Sequence, residues 1–110
     1  MINGSLPADG SLLSESTLRI VELIKAIPAG KVASYGNIAL AAGLRNGARQ
    51  TVRVLHSLSE KHSLPWHRVI RSDGSIALEA GAGRELQIEL LRAEGVEVSA
   101  DGRVDMHRYS

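Results

Sequence analysis

Apolar residues recur along this chain at helical spacing, interrupted by glycine and proline, and each interruption marks an element. Between Ser14 and Pro28, the positions Leu18, Val21, Leu23, Ile24 and Ile27 predict a first helix, with Ser14 as its N-cap and Pro28 as its stop. Residues 28–30 are turn chemistry, and Val32-Ala33 is long enough only for a brief extended link. Ser34 then caps a short helix over residues 35–42, in which Ile38, Ala39 and Ala42 form a small-residue packing face before Gly43 ends it. Asn46 is placed to cap a longer helix over residues 47–60. There Ala48, Thr51, Val52, Val54, Leu55 and Leu58 take one side, and Arg49, Arg53, His56 and Glu60 the other. Two helices joined by a short glycine-containing turn make a helix-turn-helix pattern.

The second half reads differently. The turn residues Ser72-Asp73-Gly74 separate Val69-Ile70 from residues 76–78 and predict a small hairpin. A glycine- and alanine-rich loop over 78–83 leads to a last helix over 84–94, with Leu86, Leu90, Leu91 and Ala93 inward and Gly95 at its end. Residues 96–98 and 104–106, separated by Asp101-Gly102, suggest a second hairpin. Residues 1–13 lack periodicity and read as a flexible N-terminal arm, which leaves residues 14–110 as one domain. The expected fold is therefore α+β: a winged-helix-like helix-turn-helix domain with small β-hairpins.

Composition narrows the chemistry. A chain of 110 residues with 44% hydrophobic content supports one core. No apolar run reaches the ~18 residues needed to span a bilayer, and the N-terminus has no basic stretch leading into an apolar one, so a soluble cytoplasmic protein is expected, nucleoid-associated if bacterial. With no cysteine, the chain has no disulfide, thiolate metal site or cysteine nucleophile, and its four histidines show no metal-ligand spacing. Neither a metal nor another cofactor is expected. The net charge of +1 conceals a gradient: residues 28–72 carry seven cations against Glu60 alone, whereas both flanks are net acidic. A basic middle on a small domain suits a nucleic-acid or phosphate surface.

Residues 65–70, Pro-Trp-His-Arg-Val-Ile, set the only tryptophan beside two basic side chains. Indole offers a π-face and one N–H donor, which suits stacking on a flat partner; a core tryptophan leading into a buried strand is the plainer alternative.

Taken in order, residues 27–32 (Ile-Pro-Ala-Gly-Lys-Val), 34–39 (Ser-Tyr-Gly-Asn-Ile-Ala), Ala48-Arg49, residues 65–70, Ser72-Asp73-Gly74 and residues 90–95 (Leu-Leu-Arg-Ala-Glu-Gly) resemble the DNA-binding and active-site domain of the 6-O-alkylguanine-DNA alkyltransferases. In those enzymes a cysteine between the proline and the histidine accepts the alkyl group; Trp66 stands in its place. The indole nitrogen has its lone pair in the ring and cannot displace at an alkyl carbon. The chain thus resembles the alkyltransferase-like proteins, non-enzymatic relatives that bind alkylated guanine in duplex DNA and pass it to nucleotide excision repair. The resemblance implies minor-groove docking and base flipping by a monomer, with nucleotide excision repair proteins as further partners.

The resemblance also implies residue roles. Tyr35 would crowd a phosphate, Arg49 would fill the gap in the base stack, and Pro65, Trp66 and Val69 would line the lesion pocket with Tyr35. The carbonyls of Trp66 and Val69 would read the guanine amine. Ser34, Gln50, Arg53 and Arg68 complete the expected DNA-binding set, and His67 with Glu94, which activate the cysteine in the enzymes, would support the pocket loop. Flipping a base costs a few kcal/mol, part of which a stacked guanidinium recovers. Three departures stand out: Val52 where the family keeps a glycine, Leu58 in place of an asparagine that supports the active-site turn, and Glu79 where some alkyltransferase-like members carry a basic residue. Two rival readings are a winged-helix transcription regulator, which needs more polar base-edge side chains than Arg49, Gln50 and Arg53, and a residual enzyme using His67 as acceptor.

Overall fold

The computed structural model describes residues 14–110; the expected N-terminal arm, residues 1–13, lies outside them. The element order is α1 (Glu15–Lys25), β1 (Ala33–Ser34), α2 (Tyr35–Ala41), α3 (Ala48–His62), β2 (Val69–Ile70), α4 (Arg84–Ala93) and α5 (Met106–Tyr109), with a single 3-10 turn at Trp66–Arg68 before β2. Helix-rich α+β is the outcome.

The helical caps follow local chemistry. Ser14 and Ser34 are extended residues whose hydroxyls accept from the backbone N–H of Thr17 and Asn37, satisfying one open donor at the start of α1 and α2. The longer helix differs from expectation. Asn46 sits at a positive φ of 53°, and Gly47 is the N-cap of α3 without a side-chain bond. A β-carbon on Gly47 would stand 2.7 Å from that of Leu44 and 3.0 Å from that of Ala39, so the close approach of the α2–α3 turn leaves no room for a capping side chain.

The hairpins also differ. Val69-Ile70 pairs in parallel with Ala33–Ser34, not with residues 76–78. The segments expected to close two separate hairpins instead lie beside each other: Ser75 and Arg103 form an antiparallel bridge, Ile76 N–H donates to the Gly102 carbonyl and Val104 N–H to that of Gly74. Gly74 permits this. A β-carbon there would stand 2.2 Å from the Val104 carbonyl oxygen, and its φ is +88°. Met106, expected in a strand, begins α5, which Asp105 caps.

Two apolar clusters result, divided by β2. Val69 belongs to the first, with Ile20, Ile24, Ile38, Val54 and Leu58 from the three leading helices; Ile70 belongs to the second, with Val32, Ile76, Leu91, Val96, Val104 and Tyr109. Successive strand residues point to opposite sides, so two residues suffice to tie the helix-turn-helix to the C-terminal half. Helix faces are narrower than expected. Leu18 and Leu86 are about half exposed, and on α4 it is Gln87, one position later than Leu86, that is buried with Leu91.

Candidate nucleic-acid interface

Only three polar side chains are buried among the described residues: Ser34, Thr51 and Gln87. Each holds part of one site. Ser34 caps α2 at Tyr35, and the Thr51 hydroxyl donates to the Tyr35 carbonyl at 3.0 Å, locking the start of α2 onto α3. Gln87 reaches from α4 to the segment before β2, where its Nε2 donates to the carbonyls of His67 and Val69, both at 3.1 Å. Tyr35 and the 3-10 turn that carries Trp66 are thereby fixed from opposite sides.

Between them lies a cavity of about 310 Å³, walled by Tyr35, Val52, Leu55, His56, Ser59, Trp66, Leu78 and Gln87. The volume lies at the lower end of small-molecule sites, about 300–1,000 Å³. Burial pushes the Tyr35 phenol up from its ordinary value while the neighbouring Arg71 guanidinium pulls it part of the way back, so the hydroxyl stays protonated and able to donate. Trp66 meets the His67 ring edge-on, with centroids 6.1 Å apart. Beside the cavity α3 exposes Arg49, Arg53 and His56. A roomier hollow of about 660 Å³ lies between α4 and α5, but the three arginines on its wall are engaged within the protein, Arg92 with the Val98 carbonyl, Arg103 with Asp73 and Asp101, and Arg108 with Glu97.

Beneath the Trp66 turn is an ionic lock. Glu94 accepts from Arg68 Nε at 3.0 Å and Nη2 at 2.6 Å, from His67 Nε2 at 2.9 Å, and from the backbone N–H of Gly30 at 3.2 Å. The Arg68 hydrogen bonds hold the Glu94 carboxyl down at about 2 against the opposing effect of burial, with smaller help from His67 and Gly30. The expected contact of Glu94 with His67 is present, and Arg68 joins it. It also compensates a carboxylate at the C-cap of α4, where the helix dipole disfavours an anion.

Several residues stand elsewhere than the sequence suggested. Arg68, expected on the DNA surface, points inward to Glu94 and to the Ile27 carbonyl at 2.7 Å, because a guanidinium beside a partly buried carboxylate gains more there than in water. The Ser34 hydroxyl is buried in its cap. Gln50 turns its amide toward Thr17 on α1, at 3.3 Å. Val69 is fully buried; its carbonyl accepts from Gln87 and that of Trp66 from Val69 N–H, and each carbonyl oxygen has a second lone pair. Pro65 precedes the turn without lining the cavity. Val52, placed by spacing on the apolar side of α3, is 36% exposed and forms cavity wall. Gln87 and Ser59 escaped the sequence reading; the available signal was Gln87 four residues before Leu91, on the inward stripe of α4.

The chain matches the family described as "6-O-methylguanine DNA methyltransferase, DNA binding domain" over residues 15–96. It is 41% identical to the DNA base-flipping protein of Escherichia coli K12 over 106 residues, covering 94% of this chain and 81% of that protein. Alkyltransferase-like protein 1 of Schizosaccharomyces pombe is 37% identical over 87 residues, 78% of this chain and 81% of that protein. The fold is similar to the crystal structure of S. pombe Atl1 in complex with damaged DNA containing O6-carboxymethylguanine, with a TM-score of 0.75 and 32% identity over 94% of this chain and 96% of that one.

Proposed function

The chain belongs to the family of the 6-O-methylguanine DNA methyltransferase DNA-binding domain, in its alkyltransferase-like form, and from that membership we propose that it binds 6-O-alkylguanine in duplex DNA by flipping the base, without dealkylating it. The observation that carries this reading is the cavity between Tyr35 and Trp66 at the foot of the basic helix α3. A flipped purine needs an apolar, planar berth, and Trp66, Leu55, Val52 and Leu78 supply one. Arg49, exposed in the first turn of α3, takes the gap in the base stack, and Arg53 one turn later lies along the phosphates.

The absence of transfer follows from the side chains present. By resemblance His67 and Glu94 are the pair that activates a thiol in the related enzymes, yet the chain contains no cysteine for them to serve, and here they are joined by Arg68. In this protein the trio acts as the footing of the Trp66 turn. His67 is a poor substitute acceptor, since its ring is largely buried and held by Glu94. The bound lesion, left intact, is handed by a monomer to nucleotide excision repair.

Titration of matched duplexes that differ only in 6-O-methylation tests the reading, with protein mass measured after incubation. Tighter binding to the methylated duplex and an unchanged mass are expected. Equal affinities would remove the lesion from the account, and a stable mass gain of one methyl group would make the protein an enzyme.

A further inference from the structure

Arg84, the first residue of α4, sends its guanidinium out of the helix to three backbone carbonyls: Nη1 donates to Ile76 at 3.2 Å and to Leu78 at 3.3 Å, and Nη2 donates to Asp101 at 2.9 Å. Leu78 is a wall of the Tyr35–Trp66 cavity, whereas Arg84 and Asp101 are not among its lining residues. We propose that Arg84 is a positioning residue of that cavity: it fixes the Leu78 wall and couples it to the loop over residues 99–102, which lies outside the site. The inference rests on the lesion-binding reading above and adds to it what holds the cavity to its width.

Among the described residues, the last backbone bond that ties the stretch carrying Leu78 to the C-terminal segment runs from Ile76 N–H to the Gly102 carbonyl, at 3.0 Å; past it the guanidinium makes the connection. Leu78 needs that connection. It is only partly buried, its Cδ1 beside Gly83, and residues 79–82, which follow it, are exposed. A leucine at the edge of the solvent has little packing to hold it, and a planar, pre-organised fork of donors supplies what packing does not. The fit at Gly102 is close: a β-carbon there would stand 2.0 Å from Arg84 Nη2 and 2.7 Å from Cζ, so the bare backbone of that turn is what admits the group. α4 thus holds two walls of the cavity from one face. Gln87, three residues after Arg84, donates to the His67 and Val69 carbonyls at the Trp66 turn, and Arg84 donates to that of Leu78. A ring slotted between two walls is held only as firmly as the walls themselves. A wall that loses its anchor must be ordered again when the ring enters, which costs affinity for a flipped base and none for DNA bound without flipping.

Two variants reach the contact from opposite ends. Arg84→Met keeps the stem and removes the donors, and Gly102→Ala displaces the guanidinium from outside both α4 and the cavity. Each is titrated with two duplexes identical apart from one base, guanine or 6-O-methylguanine, and the ratio of the two affinities is the readout. A partly unfolded population lowers both affinities by the same factor, so the ratio is blind to the strain of a side chain at the Gly102 φ of +79°. In each variant the native preference for the methylated duplex should fall about fivefold, the factor that accompanies one typical hydrogen bond. The double variant should fall no further than either alone, because with the donors gone the added methyl group has no anchor left to displace. A ratio that stays native in either single variant, however far its thermal midpoint drops, reduces Arg84 to a brace of the C-terminal segments and overturns the proposal. So does a Gly102→Ala effect that adds to that of Arg84→Met. Where Arg84→Met does not fold, Arg84→Lys decides: its ammonium keeps charge and stem but cannot serve Leu78 and Asp101 as a fork, so the ratio should fall, and a native ratio overturns the proposal. If instead the native protein binds 6-O-methylguanine no better than guanine, the lesion-pocket reading itself fails and takes this inference with it.

Discussion

Arg68 grips Glu94 through two nitrogens of its guanidinium, Nε at 3.0 Å and Nη2 at 2.6 Å, and so spends inside the protein a charge that the sequence places in its most basic segment. The third nitrogen, Nη1, holds the Ile27 carbonyl, joining the end of α1, the Trp66 turn and the end of α4 at one point.

Arg68→Lys keeps the charge but cannot reproduce the fork. Denaturant unfolding should show a loss of about 2–3 kcal/mol, below the ~3–5 kcal/mol that removing one partner of a buried pair costs, because the charge is kept. DNA binding measured at several salt concentrations should keep its slope. A variant that folds with native stability yet loses one unit of slope would return Arg68 to the phosphate surface.

Glu94 titrates at about 2 in the folded protein against an ordinary 4.5, chiefly through Arg68. Since the folded value is depressed, the stabilisation is complete above about pH 4.5 and is lost as pH falls toward 2. Asp73 and Asp101 are lowered as well, mainly by Ser75 and Ser99, so the native acid curve mixes several groups. Glu94→Gln isolates one of them. Thermal midpoints followed from pH 6 to 2 should fall less steeply in this variant; parallel curves would mean that the Arg68 contact does not persist in solution.

Arg49 and Arg53 are exposed one turn apart on α3 but should respond differently. Arg49→Ala should weaken binding to alkylated duplex by ~1–3 kcal/mol and narrow the ratio of damaged to undamaged affinity, as loss of a stacking or bidentate base contact does. Arg53→Ala should weaken both affinities alike and reduce the salt slope by about one, because phosphates carry no lesion information. Trp66→Ala supplies the control for the pocket. If neither Arg49→Ala nor Trp66→Ala changes the ratio, a sequence-reading regulator accounts better for the basic helix.

With Arg68 turned inward, the exposed cations left on the basic segment include Lys31, Arg45, Arg49, Arg53 and Arg71. If four or five of these neutralise phosphates, the logarithm of the binding constant should fall against log salt with a slope of roughly −4. Fluorescence anisotropy over a salt series measures it, and a slope near zero would detach this face from DNA.

Local chemistry was legible because its causes lie within a few residues. Ser14 and Ser34 cap the helices their spacing predicts, Pro28 and Gly43 end them, and the missing cysteine removes thiol chemistry wherever residue 66 sits. The Glu94 partnership was also within reach, since a carboxylate at a helix C-terminus calls for a cation. Asn46 misled because its capping propensity says nothing about Leu44 and Ala39 crowding the turn it would serve.

The sequence by itself determined the helices, their turns and the loss of the acceptor thiol, all consequences of propensity, periodicity or a side chain's identity. Only the tertiary structure decided how the short extended segments pair and where long polar side chains spend their hydrogen bonds. Val69-Ile70 is too short for its pattern to select a partner, and it pairs with Ala33–Ser34 because that places Val69 in one apolar cluster and Ile70 in the other. Arg68 and Gln87 have reaches spanning both solvent and interior, and what settles them is the position of Glu94, His67 and Val69, residues 18 to 26 positions away in the chain.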